Sequence, residues 1–177
     1  MEARIHIVLH SPQIPQNTAS VGRTCVCLGA HLHLIRPLGF FMDGVKFRRA
    51  GLDYWRYVQY TVYDSWEDFL ESSRPSRFYF FSTKGRRVYW EVDFTPPVYL
   101  VFGNEGRGLP AEFYCRYRER LYCIPMPGRY GRSLNLANAV SVVAYEALRR
   151  QLGEAVDLEQ LQEGPSHKEH REGDESC

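Results

Sequence analysis

The sequence predicts one α/β domain over residues 1–152, a mostly parallel sheet with helices on both faces, followed by an acidic tail over residues 153–177. Three observations lead there. Short β-rich runs alternate with stretches of helical period along the chain, the order that lays helices over a parallel sheet. The strand-like run VYLVF at 98–102 enters a glycine turn and then a helix start at Pro110, the layout of a ligand-binding edge. The longest helical pattern closes the domain, with Leu136, Ala139, Val140, Val143, Ala144, Ala147 and Leu148 at the spacing of one buried face.

In chain order, Arg4 to His10 reads as a strand, and the prolines of Ser11-Pro12-Gln13-Ile14-Pro15 end it. From Asn17 to Leu28 the pattern is helical, with Val21, Cys25 and Leu28 on one face, Asn17 or Thr18 as the cap and Gly29 as the stop. Arg23 lies about 200° round this helix from Val21, away from the core. His31 to Arg36 alternates like a strand. The stretch 37–55 mixes glycine turns, aromatics and the basic triplet Lys46, Arg48 and Arg49, and reads as a surface element. Further strands are predicted at 59–63, 77–81, 98–102 and 121–124. Short helices are predicted at 66–70 and 110–115, the second with proline at its first position. At the entrance of the closing helix, Ser133 and Asn135 are the candidate caps.

The 177 residues, 44% of them hydrophobic, suffice for one core. The net charge of +1 conceals an asymmetry: residues 1–152 hold 20 Lys and Arg against 13 Asp and Glu, and residues 153–177 hold 2 against 8. An arginine-rich basic body suits a polyanionic partner, because guanidinium pairs with phosphate and stacks on bases. The composition of the last dozen residues predicts disorder. The start, MEARIHIVLH, has no basic region ahead of a long apolar one, and no apolar run reaches 18 residues, so a cytoplasmic protein without a membrane span is expected. Five cysteines without repeated spacing fit reduced thiols. Cys25, Cys27, His31 and His33 form the one cluster that suggests zinc. Two cysteines two apart on a helix face different ways, so no metal is expected.

The glycine turn VFGNEGRGLP matches neither a dinucleotide fingerprint nor a phosphate loop. Six stretches, in this order, resemble one known family: PQIPQNTASVGRTC at 12–25, RRAGLDYW at 48–55, STKG at 82–85, FGNEGRGLP at 102–110, IPM at 124–126 and RSLNLANAVSVVAYE at 132–146. The resemblance is to the SPOUT class of S-adenosylmethionine-dependent RNA methyltransferases, and within it to the TrmL-like branch that 2'-O-methylates the ribose of the tRNA wobble nucleotide. It covers residues 4 to about 152. The chain departs from the pattern at Ala19 and Ser20, where the family has glycine and asparagine.

What the resemblance implies is a deep trefoil knot in the C-terminal third, a device otherwise almost absent from proteins, with the methyl donor held in it. By position it implies Phe81, Gly103, Ile124 and Ser133 at the donor. Leu109, Met126 and Leu134 would add apolar walls for an adenine ring, and Glu105 would brace the glycine turn. It further implies Arg23 as the group acting on the ribose hydroxyl, Asn135 as a ligand or substrate contact, and a homodimer. The tRNA anticodon loop would meet Asn17, Lys46, Arg48, Arg49, Tyr54, Trp55 and Arg132. Two alternatives stay open: methylation of another RNA, such as ribosomal RNA, on the same scaffold, and a non-catalytic RNA-binding module.

Overall fold

The computed structural model describes residues 4–43, 47, 49 and 54–153; the acidic tail beyond, predicted to be disordered, and the basic residues Lys46 and Arg48 lie outside the described residues. The described strands are β1 (Ile5–His10), β2 (His31–Ile35), β3 (Tyr60–Tyr63), β4 (Phe78–Phe81), β5 (Arg87–Val88), β6 (Val98–Phe102) and β7 (Leu121–Cys123). The described helices are α1 (Pro15–Leu28), α2 (Trp66–Ser73), α3 (Ala111–Arg116) and α4 (Leu136–Leu152). The strands form one sheet in the order β3-β2-β1-β6-β4-β7-β5. All six pairings are parallel, as predicted.

Strand alternation sorts the core into two layers. Ile7 and Leu9 of β1 and Leu100 and Phe102 of β6 face one side, where Val21 and Cys25 of α1 and Val140, Val143, Ala144 and Ala147 of α4 cover them. Val8 of β1 and Val101 of β6 face the other side, against Trp66 and Phe69 of α2 and Phe113 of α3. Ala144 and Ala147 are fully buried, and small side chains at these positions let α4 lie close on α1 and the sheet. Thr24 Oγ1 and Ser141 Oγ are 3.1 Å apart across the α1–α4 contact.

Most elements coincide with their predictions, and β6 does so residue for residue. Three elements differ from their predictions. α1 begins at Pro15 with Ile14 as its cap residue, and no side chain of that residue caps it. Neither Asn17 nor Thr18 serves as the cap. Pro110 stands just before α3 rather than at its first position. β5 has only two residues and no periodic signature; it exists because β7 pairs with it along Arg87 and Val88.

His6, His31 and His33 meet on the α2 side of the sheet. Nδ1 of His6 lies 3.0 Å from Nε2 of His33, and Nδ1 of His33 lies 2.9 Å from the Tyr63 hydroxyl. Burial chiefly, with His31 and His6 beside it, pushes the His33 pKa down to about 2 from its ordinary 6.5. The native state therefore refuses a proton that the unfolded chain accepts below pH 6.5. Stability is complete above that pH and falls as pH drops from 6.5 towards 2. At pH 5 this one group is expected to cost about 2 kcal/mol. Urea unfolding at pH 7 and pH 5 checks it: the midpoint should fall in the wild type and fall less in His33→Phe.

Candidate active site

The carboxyl ends of β1, β4, β6 and β7 share one edge, and β1 and β6 mark where the strand order reverses. From β1 the chain runs outward to β2, while from β6 it continues to β7 on the other side. Connections that part in opposite directions leave a crevice between them. The crevice is a cavity of about 590 Å³, within the range of small-molecule sites.

All eight residues predicted at the donor line it: Phe81, Gly103, Glu105, Leu109, Ile124, Met126, Ser133 and Leu134. They come from three strand ends and the entrance of α4. Phe81 stacks on Phe102 with ring centres 5.0 Å apart, making an apolar floor. Gly103 has no room for a side chain, because a Cβ there would overlap the carbonyl carbon of Gly108 across the turn. That turn is closed by paired hydrogen bonds of 2.9 Å between the backbones of Asn104 and Gly108.

Asn104, which the sequence did not single out, braces the turn. Its Oδ1 accepts from the amides of Gly106 and Arg107, and its Nδ2 donates to Ser11 O at 2.8 Å. Glu105, predicted for that task, reaches across to α1 instead. Its carboxylate accepts from the amides of Gln13 at 2.8 Å and Ile14 at 3.1 Å, and from Asn17 Nδ2 at 3.2 Å. A carboxylate at a helix start satisfies free N–H groups and opposes the positive end of the helix dipole. A glutamate 91 residues away from Ile14 thus takes over the capping of α1.

Asn17 and Asn135 continue the chain of bonds. Asn17 Oδ1 accepts from Asn135 Nδ2 at 2.9 Å, and Asn135 Oδ1 accepts from the amides of Ala137 at 2.9 Å and Asn138 at 3.4 Å, capping α4. Glycine turn, α1 and α4 are thereby joined through three side chains. Asn17, expected at the RNA, is buried with its amide engaged in this network; it lines the cavity together with Asn135, which also caps α4.

Arg23 is not at this cavity. It stands six residues beyond Asn17, about 9 Å along α1 and on another face. There it lines a separate hollow of about 310 Å³ with Ser20, Thr24, Cys27, Tyr54 and Tyr145. Tyr54 and Trp55, predicted to stack on RNA bases, are engaged inside the protomer. The Arg23 guanidinium carbon is 4.4 Å from the Tyr54 ring centre, and Trp55 packs edge-on against Phe47 at 4.5 Å. Arg49 is exposed and Arg132 lines the cavity.

The structure adds Lys84 and Arg107 to the cavity wall. Both lie inside quoted motifs, STKG and the glycine turn, and only the strand order shows that they converge. Among the described residues no cluster of three His, Cys, Asp or Glu could hold a metal ion.

Residues 4–145 match the SpoU rRNA Methylase family. The tRNA (cytidine(34)-2'-O)-methyltransferase of Burkholderia ambifaria is 45% identical over 149 residues, covering 82% of this chain and 94% of its own length. A structure solved for insight into the 2-OH methylation of C/U34 on tRNA is 50% identical, with a TM-score of 0.78, and covers 85% of this chain and 97% of its own. An AdoMet-bound rRNA methyltransferase from Sinorhizobium meliloti is 28% identical with a TM-score of 0.75, over 86% of this chain and 59% of its own. With a family match over most of its described length and relatives this similar, the chain belongs to the SpoU rRNA Methylase family.

Proposed function

We propose that the protein is an S-adenosylmethionine-dependent methyltransferase that 2'-O-methylates the ribose of nucleotide 34 in the anticodon loop of tRNA. The observation that carries the proposal is the convergence of four motifs on one cavity at the sheet's switch point: STKG, the glycine turn, IPM and the α4 entrance. The cavity suits the donor. Phe81, Leu109, Ile124, Met126 and Leu134 offer apolar walls to an adenine ring, and backbone groups near Gly103 and Ser133 offer polar contacts.

When bound, S-adenosylmethionine supplies a methyl group activated by positive sulfur. The protein's own task is alignment and charge. A guanidinium offers charge and N–H donors but no acceptor, so Arg23 stabilises the alkoxide as the ribose hydroxyl loses its proton, and water or an RNA oxygen receives that proton. Lys84, Arg107 and Arg132 at the cavity wall are placed to meet phosphates of the incoming loop.

Arg23 and the donor cavity open at different places on one protomer, which supports a homodimer in which each subunit's Arg23 serves its partner's cavity. Exposed Val142 and Tyr145 on α4 support the same reading. Sedimentation at micromolar concentration should return a dimer; monomer alone would refute it. The trefoil knot is part of this proposal by kinship with the family, supported by the position of β7 between the earlier strands β4 and β5. A cytoplasmic location is proposed on the same ground, supported by four free thiols among the described cysteines. No described helix is long and apolar enough to cross a membrane.

The deciding experiment is transfer of labelled methyl from S-adenosylmethionine to unmodified tRNA, with the product mapped by nuclease digestion. A 2'-O-methyl nucleotide at position 34 is expected. Donor binding without any product on tRNA would redirect the search to another RNA.

A further inference from the structure

Arg23 is exposed on α1, and among the described residues no carboxylate pairs with it. An exposed arginine side chain samples many rotamers unless something holds it. What lies under it is the ring of Tyr54, 4.4 Å from the guanidinium carbon. That ring is fastened to the same helix: the Tyr54 hydroxyl donates to Ala19 O at 2.9 Å, one turn before Arg23. The neighbouring Trp55 is seated against α1 at Gly22, where a Cβ would overlap the indole. Phe47 packs edge-on against Trp55, with ring centres 4.5 Å apart. Ala19, Gly22 and Arg23 therefore form one seat, and the aromatic pair fills it.

From this we propose that Tyr54 is a positioning residue for Arg23, a fixed aromatic plate that orients the guanidinium towards the substrate without neutralising it. The proposal rests on the reading of Arg23 as the group that acts on the ribose hydroxyl. The chemistry favours a ring over a carboxylate here. A carboxylate would hold the guanidinium by consuming its N–H donors and cancelling its charge. An aromatic face takes one face of the cation and leaves its charge intact; the Tyr54 hydroxyl hydrogen-bonds the guanidinium as well, and the remaining N–H groups at its edge can meet an alkoxide or phosphate. The hydroxyl bond to Ala19 keeps the plate in register with the helix that carries Arg23. Tyr54 thus acts through Arg23, without touching the reacting atoms itself.

The test uses the full chain, unmodified tRNA and labelled S-adenosylmethionine, and compares wild type with Tyr54→Phe, Tyr54→Met and Arg23→Ala. Phenylalanine keeps the π face, while methionine fills similar space without one. The expected result is a kcat in Tyr54→Met about fivefold below wild type, which corresponds to about 1 kcal/mol, and a kcat in Tyr54→Phe between the two, because phenylalanine keeps the π face and loses the hydroxyl bond to Ala19 O. The KM for S-adenosylmethionine should stay unchanged in both, because the donor cavity does not include Tyr54. Equal kcat values for the two variants would overturn the proposal. So would a loss in Tyr54→Met that appears as a raised donor KM and a lowered melting temperature with kcat intact, since that is a packing defect. If Arg23→Ala turns over like the wild type, the reading of Arg23 itself fails, an outcome distinct from a harmless Tyr54→Met beside a dead Arg23→Ala.

Discussion

Arg23→Ala is expected to lower turnover on tRNA by about 10² to 10³-fold, the usual consequence of removing a group aimed at developing oxyanion charge. Binding of S-adenosylmethionine should be unaltered, because Arg23 lines the hollow with Tyr54 and Tyr145, not the cavity proposed for the donor. Equilibrium dialysis of donor beside a turnover assay separates the two effects. Arg23→Lys discriminates further. Lysine retains the charge and loses the planar fork, so measurable turnover at neutral pH is expected if charge stabilisation dominates. A lysine variant as inactive as the alanine variant would show that guanidinium geometry is indispensable.

The second large effect is expected at Glu105. Glu105→Ala leaves the amides of Gln13 and Ile14 and the Asn17 amide group without their acceptor. Loss of charged hydrogen bonds at a helix start is worth about 2–3 kcal/mol. For a domain of this size that is a melting temperature lower by roughly 5–10 °C. Catalysis should suffer as well, since α1 carries Arg23 and Glu105 ties its start to the donor turn. Glu105→Gln should fall between. Its one oxygen keeps the Ile14 and Asn17 bonds, but its Nε2 would face the Gln13 amide, donor against donor. A melting curve for Glu105→Ala that overlays the wild type would refute the capping role.

The histidine group and the Glu105 network teach the same lesson about legibility. His6, His31 and His33 were visible as residues in strands, yet nothing local announced that parallel pairing in register, His6 beside His31, would gather them against Tyr63. Likewise Asn135 and Asn17 are 118 residues apart and bonded at 2.9 Å. The motifs point to a ligand or substrate contact for Asn135 and an RNA contact for Asn17, and in the fold each side chain is in part occupied by the other. The aromatics Tyr54 and Trp55 followed the same course. An aromatic beside arginines reads as an RNA platform until the structure supplies Gly22 and Ala19 as its seat.

By itself the sequence determined the α/β class, the kind and order of most elements, the sheet covered on both faces and the motifs that line one cavity. Those features depend on hydrophobic period, glycine and proline placement, and contiguous motifs, which are written within a few residues of one another. Only the tertiary structure decided that Asn104 braces the turn, that Glu105 caps α1, that β5 exists, and that Arg23 stands apart from the cavity. Each of these depends on which strand ends lie side by side. A polar side chain takes whatever partner the strand order brings within about 3 Å, and short-range pattern carries no record of that distance.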